Sequence, residues 1–403
     1  MKEIIRRSAL KLGFKISRYT PDRFKDAFIS LKPLKGGQGD VLVSYRVEAF
    51  VSKEGDPLLN THTNYWESHQ IAKTFLELGY RVDVIDFRNV TWAPEKDYSF
   101  FIAARTNFSR ISPLLNKDCI KIVHLDTAHW LFNNQASYSR SLDLQRRKGM
   151  TISHESLRII ESNLAIEHAD FATLLGNQFT SSTYQYAGKD TCRIPISTCA
   201  LYSLPEDKDY ESCRKHYLWF GSGGLVHKGL DLVLDAFSGM PDYHLYVCGP
   251  VEDEKRFVEV YRKELFETPN IHTIGWVDPG SDQFRDLANR CLAIVYPSCA
   301  EGQSGSVVNC LHAGLIPIIS RESGVDVNNF GVILTDCSVD VIRDSVINVS
   351  GQSADRLKQM ACDAWLHART NHMRECFAAE YRKAIEKICQ KRRLVKSDKR
   401  AAR

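Results

Sequence analysis

Three groups of residues have the types and spacing to do chemistry. The first lies in "PSCAEGQSGSVVNCLHAG", residues 297–314, between the apolar runs "CLAIVY" and "LIPIIS". Glu301 stands beside Gly302, and Gln303, Ser304, Gly305, Ser306 and Val307 lead into a helical pattern that Gly314 ends, with Asn309 about one turn inside. A serine can cap such a helix, and its first amides, at the positive end of the helix dipole, suit a phosphate. The Glu301 carboxylate can accept hydrogen bonds from hydroxyls. An anion cradle beside a hydroxyl acceptor is what a nucleotide sugar requires. The same residues also read as a solvated loop acid and a plain helix cap, and the second group weighs against that. It is "FGSGGLVHKG", residues 220–229. Gly221, Ser222, Gly223 and Gly224 permit a tight turn, and Lys228 heads the next helix as a cation within reach of a diphosphate. The order Lys228-Gly229 does not fit a Walker loop. A dinucleotide fingerprint lacks its third glycine, because position 226 is Val. The third group is His124, Asp126 and His129, just past a strand-like run, with Asn64 and Glu67 opening a helix upstream. A histidine at a strand end serves acid–base chemistry or structure alike, and Glu67 also reads as a partner of the helix dipole.

These residues need elements to place them. "VLVSYRV", "RVDVIDF", "YSFFIAA", "IKIVHLD" and "FATLLG" read as buried strands: short, β-branched or aromatic, and bounded by turn residues. Helical patterns over 65–78 and 155–168 lie among them, and Gly79 follows the first as a helix end should. The pattern breaks over 195–216, read as a linker, and a second βα series follows from "YLWFG" to "LIPIIS". The segments 354–369 and 375–391 look helical and long enough to pack back across the structure. Alternating strands and helices mean mainly parallel sheets. The expected fold class is α/β, with two Rossmann-like doubly wound domains facing a cleft.

Composition bounds the rest. The 403 residues, 43% hydrophobic and 25% charged, describe a globular chain able to bury two cores. No apolar run reaches the roughly 18 residues of a spanning helix. "KEIIRRSALKLGFKISRY" lacks the continuous apolar region of a cleavable signal, so the expectation is a cytoplasmic protein. The twelve cysteines are scattered without a Cys-x-x-Cys pair, which reads as reduced thiols. The dispersed histidines offer no pair four apart, and no metal site is expected. Residues 1–35 carry ten Lys and Arg against three acids, and residues 391–403 seven against one, around an acidic middle. No basic stripe with interleaved aromatics appears there, which argues against nucleic acid as a partner. The cationic ends suit an anionic membrane surface, with residues 1–35 as a basic amphipathic arm.

Taken together, "FGSGGLVHKGLDLVLDAF", "NIHTIGWVD" and "AIVYPSCAEGQSGSVVNCLHAGLIPI" resemble the C-terminal domain of the group 1, family 4 retaining glycosyltransferases. The match covers roughly residues 215–335 in order and spacing. "NYWESHQIAKTFLELGYRVDVIDF" and "IVHLDTAHWLFNN" resemble the N-terminal half less sharply. The resemblance implies the glycosyltransferase B fold. Residues 36–205 would form an acceptor domain, 206–375 a nucleotide-sugar domain, and 376–403 a C-terminal helix with a basic tail. It implies retaining transfer of a hexose-type sugar from a nucleoside diphosphate donor to a glycan or lipid-linked acceptor, in bacterial surface polysaccharide or glycolipid synthesis. The nucleotide sugar would be a co-substrate, with no other cofactor and no catalytic metal. By the same resemblance Glu301 holds hydroxyls of the donor sugar, and the amides of Gln303–Val307 bind sugar and phosphate oxygens. Lys228 neutralises the departing diphosphate, and Gly275, Trp276 and Val277 border the base. One of His124, Asp126 and His129 would supply the contact the family makes with a histidine, while Asn64 and Glu67 face the acceptor. Two positions depart from the family: Ser222 replaces an arginine and Asn309 a second glutamate. They keep a binding-only or scaffold subunit of a glycan assembly complex in view. A nucleotide-sugar epimerase would share the fold and differ in needing no acceptor.

Overall fold

The computed structural model describes residues 24–52, 59, 62–152, 165–204 and 207–401, with side chains as far as Lys391. Two sheets carry it. The first has seven strands in the order β1-β3-β2-β4-β5-β6-β7, namely β1 Phe28–Leu31, β2 Asp40–Tyr45, β3 Arg81–Asp86, β4 Phe100–Ala103, β5 Ile120–Leu125, β6 Phe171–Leu175 and β7 Asp190–Ile194. Only β1 runs antiparallel, against β3. The second sheet is wholly parallel, in the order β10-β9-β8-β11-β12-β13, with β8 His216–Phe220, β9 His244–Cys248, β10 Ile271–Gly275, β11 Ala293–Tyr296, β12 Ile316–Ile319 and β13 Val332–Ile333. The central strands are buried along their whole length, as helices on both faces demand. Each sheet reverses its winding once, between β2 and β4 and between β8 and β11. Ligands of open α/β sheets bind beyond the strand ends at such a point.

The helices that matter to function follow these strands: α1 Thr63–Glu77, α2 Trp130–Lys148, α3 Leu230–Ser238 and α4 Gly305–His312. Two more, α5 Ala354–Asn371 and α6 Arg374–Ala401, close the chain. Phe377, Tyr381, Ile385 and Ile388 recur at helical spacing along α6 and are buried. They carry α6 back to the first sheet, where Phe377 meets Trp66 edge-on and Tyr381 meets His124. Arg382 there reaches Glu77 at 2.9 Å.

Two sequence expectations change. Residues 28–31, assigned to the basic arm, form the edge strand β1, because Ile29 and Leu31 turn inward to pack on the core while Phe28 and Ser30 face outward. The rest of the amphipathic pattern, through residue 23, lies outside the described residues. The stretch "HWLFNN", which the family resemblance implies is part of a histidine-bearing loop, begins the 19-residue helix α2. Its buried stripe is Asn133, Ser137, Arg140 and Leu144, helical in spacing yet mostly polar, so a search for apolar periodicity passes over it. Of the helix expected over 155–168, the described part is Ala165–His168.

Candidate functional site

A cavity of about 360 Å³ lies between the carboxyl ends of the two sheets. Its centre is an ion pair. Lys228 Nζ donates to Glu301 Oε1 at 2.8 Å, and the two side chains are only 13% and 19% exposed. Tyr296 OH and Ser298 Oγ donate to the same oxygen, each at 3.1 Å. Burial alone would push the Glu301 carboxyl up, but the charge of Lys228 and the donated hydrogen bonds hold it down at about 2. Lys228 is correspondingly raised by Glu301 against its own burial. Glu301 is therefore ionised and anchored, not free as the sequence suggested. Its second oxygen, Oε2, has no protein partner among the described residues.

The helix α4 starts beside this pair. Ser304 caps it, its Oγ accepting from Val307 N at 3.4 Å. The amides of Gly305 and Ser306 have no partner within a helix by geometry, and both residues line the cavity. Gly302 is needed for close approach: a Cβ there would stand 2.5 Å from the Asp126 carbonyl oxygen, on the other sheet's loop. The turn over 221–229 is held by Glu254, which takes the amides of Gly224 at 2.5 Å and Leu225 at 3.0 Å. Ser222 and Gly223 are exposed at the cavity wall. Gly275 adopts φ +88°, Val277 is buried, and Trp276 presents a half-exposed ring to the cavity.

The first sheet supplies the facing wall. Asp126 lines it, bound by Arg105 through Nη2 at 2.7 Å and Nε at 2.8 Å. Arg105 lies two residues past the end of β4 and is held at φ +67°, a strained conformation for a side-chain-bearing residue. Glu67, on α1, is fully buried. Its Oε1 accepts from Ser197 N and Ser197 Oγ, both at 3.1 Å, and burial pushes its carboxyl up to about 7. Glu67 Oε2, Asn64 Oδ1 and Tyr45 OH are buried without partners among the described residues, and all three residues line the cavity.

No protein-family model and no curated protein matches the sequence. Solved structures do match. Sucrose-phosphate synthase from Thermosynechococcus elongatus superposes with a TM-score of 0.61 at 12% identity, over 87% of this chain and 99% of that one. Anabaena HepE, solved with UDP and glucose, gives 0.54 at 14% identity, over 87% and 99%. This chain has the glycosyltransferase B fold. It spans about half the length of S. aureus TarM, which it matches at a TM-score of 0.50 and 11% identity, over 70% of this chain and 54% of that one.

Within that fold the candidate residues divide. Glu301, Lys228, Ser222, Gly223, Trp276, Val277, Gln303, Ser304, Gly305, Ser306 and Asn309 share the cavity with Asn64, Glu67 and Asp126. His124 does not reach it: the ring is buried behind, Nδ1 on Thr173 Oγ1 at 2.8 Å, among Tyr45, Phe377 and Tyr381. His129 does not reach it either. It caps α2, its Nδ1 accepting from Leu131 N at 3.3 Å and its Nε2 meeting Tyr186 OH at 3.0 Å. Two other histidines line the cavity: His227, beside Lys228, and His62, cap of α1, which desolvation and the nearby Arg105 and Arg46 lower to about 4. Sequence reasoning missed His62, Arg105, Tyr45 and Glu254. A signal existed for Arg105, which ends a strand-like run, and for His62, which precedes a helix. Two residues carry structural duties besides. Asn309 Oδ1 holds the connecting segment through Thr198 Oγ1 at 2.9 Å and Cys199 N at 3.3 Å. Gln303 spans Ile196 N at 2.8 Å and Gly324 O at 3.2 Å.

Proposed function

We propose that this protein is a retaining glycosyltransferase that moves a hexose-type sugar from a nucleoside diphosphate donor to a glycan or lipid-linked acceptor. The observation that carries the reading is the Lys228–Glu301 pair beside the start of α4, in a cavity between two Rossmann-like sheets. The free amides of Gly305 and Ser306, with Lys228, form a cradle for the diphosphate. Glu301 Oε2 is left to take hydroxyls of the transferred sugar, and the Trp276 ring offers the base a face to stack on. The acceptor enters along Tyr45, Asn64 and Glu67. As the bond from the anomeric carbon to the phosphate oxygen breaks, the acceptor oxygen forms its bond on the same face. The departing phosphate oxygen takes the acceptor's proton. This route needs positioning and charge stabilisation more than a protein nucleophile. HepE with UDP and glucose, and TarM with UDP, support a nucleotide sugar as the ligand of this fold.

A thermal-shift screen of uridine, guanosine and adenosine diphosphate sugars tests the donor, followed by hydrolysis without acceptor and proton NMR of the transfer product. We expect one nucleotide class to stabilise the protein, slow hydrolysis, and an α product from an α donor. A β product contradicts retention, and interconversion of the free sugar nucleotide would indicate an epimerase. A binding-only subunit is favoured by one observation, the engagement of Asn309 with the connecting segment. It predicts stabilisation without hydrolysis. The basic ends extend the proposal to peripheral attachment at an anionic membrane surface, on the cytoplasmic side. Flotation with anionic but not neutral liposomes, abolished by deleting residues 1–18 and 391–403, is the expected outcome. An intact chain that stays unbound at low salt would point to a soluble acceptor.

A further inference from the structure

The backbone that carries Glu301 is gripped from the opposite domain at three consecutive carbonyls. Glu301 O accepts from Ala128 N at 3.1 Å, and Gly302 O from Thr180 Oγ1 at 2.7 Å. The third grip is indirect. Ala300 O takes a hydrogen bond of 2.5 Å from His227 Nε2, and His227 Nδ1 lies 2.8 Å from Ser137 Oγ on α2. A carbonyl oxygen can only accept, so the ring proton sits on Nε2 and Nδ1 is the acceptor of the serine hydroxyl. The thiol of Cys299, 3.4 Å from the same Nδ1, is a second neutral hydrogen-bond donor to it. The ring is nearly enclosed, at 7% exposure.

Its place in the chain gives this contact its meaning. His227 precedes Lys228, and Ala300 precedes Glu301, so one imidazole ties together the backbones of both members of the ion pair. His227 O adds to the tie by accepting from Cys299 N at 2.9 Å. Next to it, Arg140 Nη2 of α2 donates to Pro297 O at 3.0 Å. A Cβ on Gly229 would stand 2.5 Å from that same oxygen and 2.9 Å from Arg140 Nη1, so the seam is packed to backbone contact. Further along, Arg147 pairs with Asp231 and Asp235, and Lys148 with Asp235 at 2.9 Å and Glu264 at 2.7 Å, which lays α2 against α3. The polar residues Ser137 and Arg140 on α2 thus face the other domain.

We propose that Ser137 and His227 are positioning residues, through which docking of the first domain sets the geometry of the Lys228–Glu301 pair. Ser137 selects the Nε2–H tautomer, the imidazole then fixes Ala300 O, and with Ala128 and Thr180 this aims Glu301 Oε2 into the cavity. The sugar clamp is assembled only when both domains are together. This rests on the functional reading above for the role of Glu301, and the test separates the two.

In protein labelled with ¹⁵N-histidine, long-range proton–nitrogen spectra of the wild type should show His227 as the Nε2–H tautomer. Ser137→Ala should let it average with the other tautomer, and Ser137→Thr, which keeps the hydroxyl, should retain the wild-type pattern. With the nucleotide sugar that the wild type hydrolyses, kcat should fall at least tenfold in Ser137→Ala and in Thr180→Val. It should recover in Ser137→Thr, and the affinity for UDP should stay within twofold throughout. A Ser137→Ala protein with wild-type tautomer and wild-type kcat overturns the proposal. So does a loss of UDP affinity parallel to that of kcat, which marks general destabilisation. A wild type that hydrolyses no nucleotide sugar contradicts the functional reading alone, and the tautomer spectra then decide this inference.

Discussion

The two walls of the cavity are built on opposite plans. On the wall from the second sheet the charges are already compensated: Glu301 Oε1 takes three hydrogen bonds, Glu254 fills the turn amides, and Ser304 caps α4. What that wall leaves open are hydrogen-bond donors, the Gly305 and Ser306 amides, together with one carboxylate oxygen. On the wall from the first sheet, Tyr45 OH, Asn64 Oδ1 and Glu67 Oε2 are buried with no partner among the described residues. A buried polar atom left unpaired costs about 1–3 kcal/mol. The second sheet's wall is set before ligand arrives, whereas the first sheet's wall is completed by it. An anion suits the one and hydroxyls the other.

The largest effect should come from breaking the finished wall. Glu301→Ala or Lys228→Ala should each lower turnover by about 2–4 kcal/mol of transition-state stabilisation, roughly a hundredfold or more. Each also strands a buried charge, so the double substitution should destabilise less than the sum of the singles, by about 1–3 kcal/mol in denaturant melts. Strict additivity would mean that the ion pair is not formed. The unfinished wall is probed by pH. Glu67 is raised from its ordinary 4.5 to about 7 in the folded chain, so the folded state holds its proton longer than the unfolded one. Its contribution is full below about pH 4.5 and is lost as pH rises through 7. Glu67→Gln should therefore gain stability relative to wild type between pH 5 and pH 8, on the order of 1–3 kcal/mol. No change in that difference would place an ionised carboxylate at 67.

Smaller effects sharpen the contrast. Trp276→Ala should weaken UDP by about 1–3 kcal/mol, the worth of base stacking on an aromatic ring. Calorimetry showing no loss would move the base elsewhere. Ser222→Arg should strengthen UDP by about 1 kcal/mol or less, since an exposed cation in solvent is worth little. Least of all, His129→Asn should leave turnover within about twofold, because asparagine can also cap α2.

How much of this was legible in the sequence follows from the same contrast. The motif around Glu301 is local: strand, acid, glycine, cap and helix run consecutively, so chain order nearly equals spatial order. Lys228 was readable for the same reason, and the strand cores announced both sheets. The facing wall is assembled from α1, the end of β4 and the loop after β5, far apart in sequence. Three residues of similar chemistry, His124, Asp126 and His129, could not be ranked there. Strand alternation separates them only once the register is known: His124 lies within β5 and points into the core, while Asp126 falls beyond its end. The helix α2 escaped because the surface it buries is another domain's polar loop. Asn309 could not disclose that it also holds residues 198 and 199, since nothing local links them.

The most direct test is a crystal structure of the protein with UDP bound. The diphosphate should lie within hydrogen-bond reach of the Gly305 and Ser306 amides, with Lys228 turned toward it and the uracil against Trp276. A diphosphate lodged instead at Arg105 on the opposite wall, with the start of α4 unoccupied, would contradict this reading.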